Sequence, residues 1–284
     1  MKFLVLGSGG MAGHILSVYL QEVGHEVRGF ARRNSLLVDT VIGDATDFPL
    51  LSQTIKKERY DCVVNCVGIL NQFAEEDKST AVLINSYLPH FLCGLVIEEG
   101  IHLVHLSTDC VFSGDRGGYT EEDFRDGRTF YDRSKALGEL DAPNCFTLRS
   151  SIIGPDINPK GIGLMNWFMQ QENSVGGYLN AIWTGQTTLQ LAKTVEAAAE
   201  MRAVGLYNMV PEQSITKYDL LCLMNKYLRA EPIEIRPIDN PSVNKSLVRT
   251  RFDFDYKIPD YETMIIELAQ WMQTHKHLYP QYRL

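Results

Sequence analysis

Lys2-Phe3-Leu4-Val5-Leu6-Gly7-Ser8-Gly9-Gly10-Met11-Ala12-Gly13 sets the pattern for the first half of the chain. An apolar run of strand length, Lys2–Leu6, meets a glycine turn. A segment with apolar residues at helical spacing, Met11–Val23, follows at once. Gly7, Gly10 and Gly13 are spaced G-x-x-G-x-x-G. A tight strand-to-helix turn needs a residue free of Cβ restriction. A bare backbone also lets an anionic group approach closely, and the helix N-terminus offers it free N–H groups and partial positive charge. In this strand–turn–helix context the pattern is that of a dinucleotide-binding loop, with Gly7, Gly10, Met11 and Gly13 as its contacts. A plain structural turn is the alternative.

Outward from that loop, strand-like and helix-like segments alternate. Strands are expected at Glu26–Phe30, Val38–Ile42, Asp61–Val67, Ile101–Leu106 and Cys145–Leu148. Helices are expected at Phe48–Arg59, Ser79–Glu99 and Tyr131–Leu140. Such alternation predicts parallel βαβ units with both sheet faces covered. The expected fold is α/β, a doubly wound parallel sheet of the Rossmann type, with its ligand crevice at the carboxyl ends of the strands. After residue 150 the rhythm changes. Gly154, Pro155, Pro159, Gly161 and Gly163 mark a loop. Helices at Leu164–Gln171, Thr187–Arg202, Lys217–Arg229 and Tyr261–Thr274 follow, with short strands at Leu206–Val210 and Ile233–Pro237. Residues 1–155 are expected to form the dinucleotide-binding domain. Residues 156–284 are expected to form mainly a smaller C-terminal α/β substrate-binding lobe, with some segments returning to the first domain.

The second strand should end near the adenosine ribose, where an acid would suit NAD. Here the chain reads Phe30-Ala31-Arg32-Arg33-Asn34. A guanidinium pairs with a ribose 2′-phosphate that an acid would repel. Arg32 and Arg33 therefore favour NADPH, with NAD as the alternative cofactor and solvated surface charge as the plain reading. In Gly43-Asp44-Ala45, Asp44 is placed to accept from the adenine amine. Asn65-Cys66-Val67-Gly68 ends the fourth strand, where backbone would lie against the cofactor ribose.

Tyr131-Asp132-Arg133-Ser134-Lys135 is Y-x-x-x-K at a helix start. Residues i and i+4 share a helix face, so phenol and ammonium serve one site. A free tyrosine titrates near ~10; an adjacent ammonium brings it toward the working range. Upstream, a strand ends in Ser107-Thr108-Asp109-Cys110-Val111-Phe112-Ser113-Gly114. A hydroxyl there points into the crevice, and Thr108 is placed to hydrogen-bond a substrate carbonyl. Thr108, Tyr131 and Lys135 are the candidate catalytic residues.

These stretches, in this order and with Leu148-Arg149-Ser150-Ser151 after them, resemble the extended short-chain dehydrogenase/reductases, and within them the dTDP-4-dehydrorhamnose reductases. The resemblance covers the first 155 residues strongly and the remainder more loosely. It implies reduction of the 4-keto group of a nucleotide-linked deoxysugar, with Tyr131 as proton donor, Lys135 holding the nicotinamide ribose and Thr108 orienting the carbonyl. It places Ser151 and Ile152 near the nicotinamide. It implies substrate contacts from Thr108, Asp109, Val111 and Tyr131, and from later segments that here hold Trp183 and Lys245. Trp183 is equally readable as core, and Lys245 and Arg249 as solvated surface. Pro241–Leu247 lacks the family's usual Arg-Pro pair, so a UDP-2-acetamido-2,6-dideoxyhexos-4-ulose stands beside dTDP-4-dehydrorhamnose as substrate. An epimerase, or a non-catalytic NADP-binding regulatory subunit, is the alternative function.

The formal net charge of −8 gives no general attraction to nucleic acid or an anionic membrane. No membrane-spanning segment is expected. Six cysteines without metal-like spacing read as reduced core thiols of a cytoplasmic protein, and no metal site is expected. His105 reads as a satisfied core histidine, and Glu121-Glu122-Asp123 as a solvated acidic run. The expected partner is the nucleotide sugar, with a homodimer as the assembly entertained.

Overall fold

A computed structural model describes residues 1–35 and 37–284. The first half runs β1 (Lys2–Leu6), α1 (Met11–Glu22), β2 (Glu26–Ala31), β3 (Thr40–Ile42), α2 (Phe48–Lys57), β4 (Cys62–Asn65), α3 (Asn71–Glu76), α4 (Lys78–Ala81), α5 (Leu88–Glu99), β5 (His102–Ser107), α6 (Phe130–Leu137) and β6 (Cys145–Arg149). The second half runs β7 (Ser151–Ile153), α7 (Leu164–Met169), β8 (Ser174–Tyr178), β9 (Ala181–Trp183), β10 (Gly185–Thr187), α8 (Thr188–Glu200), β11 (Gly205–Asn208), β12 (Ile215–Thr216), α9 (Lys217–Leu228), β13 (Glu234–Ile238), β14 (Val243–Asn244) and α10 (Tyr261–Thr274).

Seven parallel strands form the main sheet in the order β3-β2-β1-β4-β5-β6-β11. The fold is therefore the expected doubly wound α/β type. Alternation within β1 shows why both sheet faces are covered. Phe3 and Val5 enter one cluster with Ile15 and Leu16 of α1, Val195 of α8 and Leu268 of α10. Leu4 and Leu6 enter the opposite cluster with Leu51 of α2 and Leu92 and Val96 of α5. Each such side chain contributes about 1.5–3 kcal/mol by leaving water. Strand order reverses between β1 and β4, so the turns after these two strands diverge and open a crevice.

Three differences from the sequence-based expectations have physical reasons. The helix at 78–99 is continuous but carries a π-helical segment, Val82–Tyr87, which turns Asn85 inward. By length and composition Lys78–Glu99 is apolar enough to cross a membrane, against the expectation of no such segment; 56% of its apolar window is buried as a core helix of this sheet. The strand expected at 206–210 is β11, which pairs with β6 at the edge of the main sheet. The second half also contains small sheets without sequence signal: β7 with β10, β8 with β13, and β12-β9-β14.

Candidate active site

The site is built on the carboxyl ends of β1, β4, β5 and β7. Gly7 sits at φ +81, and a Cβ there would lie 3.3 Å from the Cys66 carbonyl carbon and from Val67 Cγ2. The turns after β1 and β4 thus touch, and only glycine allows it. Gly13 packs tighter: a Cβ would fall 2.1 Å from the Gly7 carbonyl oxygen. Gly9 and Gly10 face open space, the nearest atom to a Gly10 Cβ being the Gly7 oxygen at 3.4 Å. Two of the glycines therefore close the turn, and two leave a bare surface above the N-terminus of α1. Met11 opens that helix, and its sulfur reaches toward Gly163 in the loop before α7.

Arg32 and Arg33 follow β2, exposed and, among the described residues, free of ion pairs within 4.0 Å. Arg32 is near enough to Asp44 to stabilise its carboxylate. Stronger causes of that carboxylate's lowered pKa are the hydrogen bonds from Thr46, from Oγ1 at 2.7 Å and N at 2.9 Å. Ala45 beside it is buried. Asn65 is wholly enclosed: Oδ1 accepts from Val67 N at 3.1 Å and Nδ2 donates to His105 Nδ1 at 3.2 Å. Its side chain shapes the Cys66–Val67–Gly68 turn from below. His105 is held neutral by burial, yet its Nε2 has no partner, so it is only half satisfied.

Thr129 caps α6, with the Asp132 side chain completing a capping box. This end places Tyr131 and Lys135 on one face, both buried. Lys135 Nζ donates to the Leu106 carbonyl at 2.7 Å. Burial lowers its pKa to about 8, and the carboxylate of Glu139 opposes that fall. Burial pushes the Tyr131 phenol well above its ordinary value, with the Thr108 hydroxyl beside it pulling the other way. Thr108 Oγ1 donates to Asp109 Oδ1 at 3.1 Å and accepts from Cys110 N at 3.1 Å. Ser151 Oγ donates to the same Asp109 oxygen at 2.9 Å. Burial raises the pKa of Asp109, which braces two hydroxyls from beneath. Ile152 is half-buried against the core.

Other residues land elsewhere. Val111 is fully buried in a cluster with Phe112, Tyr119, Val210 and Leu247, so its side chain is closed to any substrate. Trp183 lies in the main core, 5.7 Å from the Tyr261 ring, and has the core role. Arg249 donates to the carbonyls of Arg251, Tyr256 and Phe254, which removes it from any phosphate. Lys245 remains near the site, with Nζ 4.0 Å from Asp132. Glu121 overturns the solvated reading: it is buried and accepts from Asn208 N at 3.0 Å and Thr250 N at 2.9 Å.

Two supports carried no local sequence signal. Glu139 accepts from Ser107 Oγ at 2.7 Å, Arg149 Nε at 2.7 Å and Nη2 at 2.6 Å, and Arg125 Nε at 2.8 Å. It thereby ties the end of β5, the end of β6 and the catalytic helix together. Asn85 accepts from Ile69 N at 2.8 Å and donates to Ile69 O at 2.9 Å and Ser134 Oγ at 3.0 Å. It fixes the turn after β4 against α6. The i+4 step from Lys135 to Glu139 was visible; its partners, far along the chain, were not.

The family model described as the RmlD substrate binding domain matches residues 1–283. The chain is 26% identical over 259 residues to the dTDP-4-keto-6-deoxy-D-glucose reductase of Streptomyces niveus, covering 88% of this chain and 87% of that protein. It is 26% identical over 263 residues to the dTDP-4-dehydrorhamnose reductase of Streptomyces griseus, covering 88% and 84%. Its fold superposes on the Bacillus anthracis dTDP-4-dehydrorhamnose reductase, crystallised in complex with NADP, with a TM-score of 0.81, 17% identity and coverage of 95% and 98%.

Proposed function

The chain belongs to the RmlD substrate binding domain family, and from that premise we propose that it reduces the 4-keto group of a dTDP-linked 6-deoxysugar with NADPH. The observation that carries this reading is the meeting of four parts at one sheet edge: the glycine turn, Thr108, Tyr131 and Lys135. The dTDP form is favoured over a UDP form because relatives matched over most of their length act, by name, on dTDP sugars.

The residues present fit NADP. The bare surface over Gly9 and Gly10 suits the pyrophosphate, and the unpaired Arg32 and Arg33 suit a 2′-phosphate. When bound, NADPH supplies the hydride for the keto carbon. Tyr131 donates the proton to the carbonyl oxygen; burial keeps the phenol protonated until that oxygen becomes basic. Thr108, braced by Asp109, orients the carbonyl. Lys135, anchored on Leu106 O, keeps two N–H donors for the nicotinamide ribose, and its charge steadies the Tyr131 phenolate left behind. Ser151 and Ile152 would line the nicotinamide. Residues 156–284 would supply most of the sugar-nucleotide contacts, Lys245 among them. The six cysteines are free, which suits a reducing cytoplasm.

The test is NADPH oxidation, followed by absorbance, with 4-keto-6-deoxy sugars carrying dTDP or UDP. Turnover of a dTDP member is expected. Absence of turnover across the panel, with NADPH bound, would overturn the proposal.

A further inference from the structure

The geometry points to Lys217 and Lys245 as a two-armed clamp for the diphosphate linking nucleotide to sugar, one arm from each side of β9. This rests on the nucleotide-sugar reading of the site and names its anion subsite.

Strand β9 is the middle strand of β12-β9-β14. Ile182 pairs with Thr216 on one side and Asn244 on the other. The next residue on each flank is a lysine: Lys217 opens α9, and Lys245 leaves β14. Neighbouring strands lie about 4.8 Å apart, so the two backbones flank β9 at roughly 10 Å, within the combined reach of two lysine stems. Lys245 leans on the catalytic loop. A Cβ at Gly114 would sit 2.9 Å from Lys245 Cγ, and Asn244 N donates to Gly114 O at 2.8 Å. Both ammonium groups act on the Asp109 carboxylate, which hydrogen-bonds Thr108. The two cations therefore share the mouth in which the carbonyl must sit.

Their charge is available. Asp109 already accepts from Thr108 and Ser151. Asp132, at 4.0 Å from Lys245, already accepts from Arg128 N and Thr129 N, each at 3.1 Å. Lys217 is half-buried and, among the described residues, has no carboxylate within ion-pairing range. A chain of net charge −8 repels a dianionic ligand at long range. Two unneutralised cations beside the reacting centre supply the local attraction that the whole molecule lacks.

The test uses the full chain with Lys217→Gln, Lys245→Gln and the pair, assayed with the 4-keto sugar found in the panel and with dTDP and dTMP as inhibitors. A charge-assisted hydrogen bond to phosphate predicts about a 10-fold rise in sugar-nucleotide KM for each, and on the order of 100-fold for the pair. The KM for NADPH should hold, kcat should change less than about 3-fold, and Lys217→Arg should restore the wild-type KM. Inhibition by dTDP should weaken more than inhibition by dTMP. An unchanged KM in Lys217→Gln, or equal loss of dTDP and dTMP, overturns the clamp. Should the wild-type protein turn over no sugar, the reductase reading fails separately. The clamp is then judged by calorimetry: dTDP binding weakened about 10-fold in Lys217→Gln supports it, and unchanged binding overturns it.

Discussion

At the scale of single residues, Lys135 is balanced between two opposing environments. Burial removes water from its ammonium and brings its pKa to about 8, while Glu139, one helical turn on, holds it up. The cation should therefore be lost as pH rises through about 8, and kcat/KM should fall with it. Glu139→Gln keeps the shape of the side chain but removes the charge. Its pH–rate profile should fall off at lower pH than the wild type, and an unmoved profile would remove Glu139 from this role. The variant should also unfold more readily, since breaking a buried ion pair costs about 3–5 kcal/mol. Tyr131 and Lys135 were legible because their spacing alone puts them on one face. Glu121 was misread for the opposite reason. Its partners, Asn208 and Thr250, lie far along the chain, and a local acidic run gives no hint of them.

Among the elements, the glycine turn divides into two functions that one motif had merged. Gly13→Ala drives a Cβ to 2.1 Å from the Gly7 oxygen, which is backbone and cannot swing away. Thermal unfolding should show a loss of at least about 1–3 kcal/mol, the ordinary cost of overpacking. Gly10→Val meets nothing closer than 3.4 Å at its Cβ and should fold, yet fill the space meant for pyrophosphate. Calorimetry should find NADPH and NADH binding both abolished. A Gly10→Val protein that binds NADPH normally would contradict the placement of the cofactor. The long strands and helices of the first half were readable from periodicity. Strands β7, β9, β10, β12 and β14 have two or three residues each, too few to display any period. Their sheets, which hold Ser151, Lys217 and Lys245 in place, were therefore invisible in the sequence.

On the scale of the whole molecule, one apolar cluster runs through both halves of the chain and joins α1 to α8, α9 and α10. His14 links that cluster to the cofactor turn. Its Nδ1 lies 2.9 Å from Gly10 O and its Nε2 lies 2.8 Å from the Tyr279 hydroxyl. A neutral ring that donates to Gly10 and accepts from Tyr279 satisfies both. Burial lowers its pKa from 6.5 to about 4. The unfolded chain thus takes up this proton first as pH falls. Stability present above pH 6.5 should decline between 6.5 and about 4 by an amount on the order of 3 kcal/mol. Denaturant titrations across that range should show the slope flattened in His14→Gln, and equal slopes would contradict it. Nothing near position 14 in the sequence announces a partner at 279, because such pairing is decided only once the last helix docks.

The most direct measurement is NADPH oxidation with the dTDP-linked 4-keto-6-deoxy sugars, comparing the wild type with Tyr131→Phe. The wild type should turn over one of them. The variant should bind NADPH as tightly and lose turnover by about 10²–10⁴-fold, the usual worth of a positioned acid. Turnover in Tyr131→Phe close to that of the wild type would contradict the assignment of Tyr131 as the proton donor, and with it the site as described.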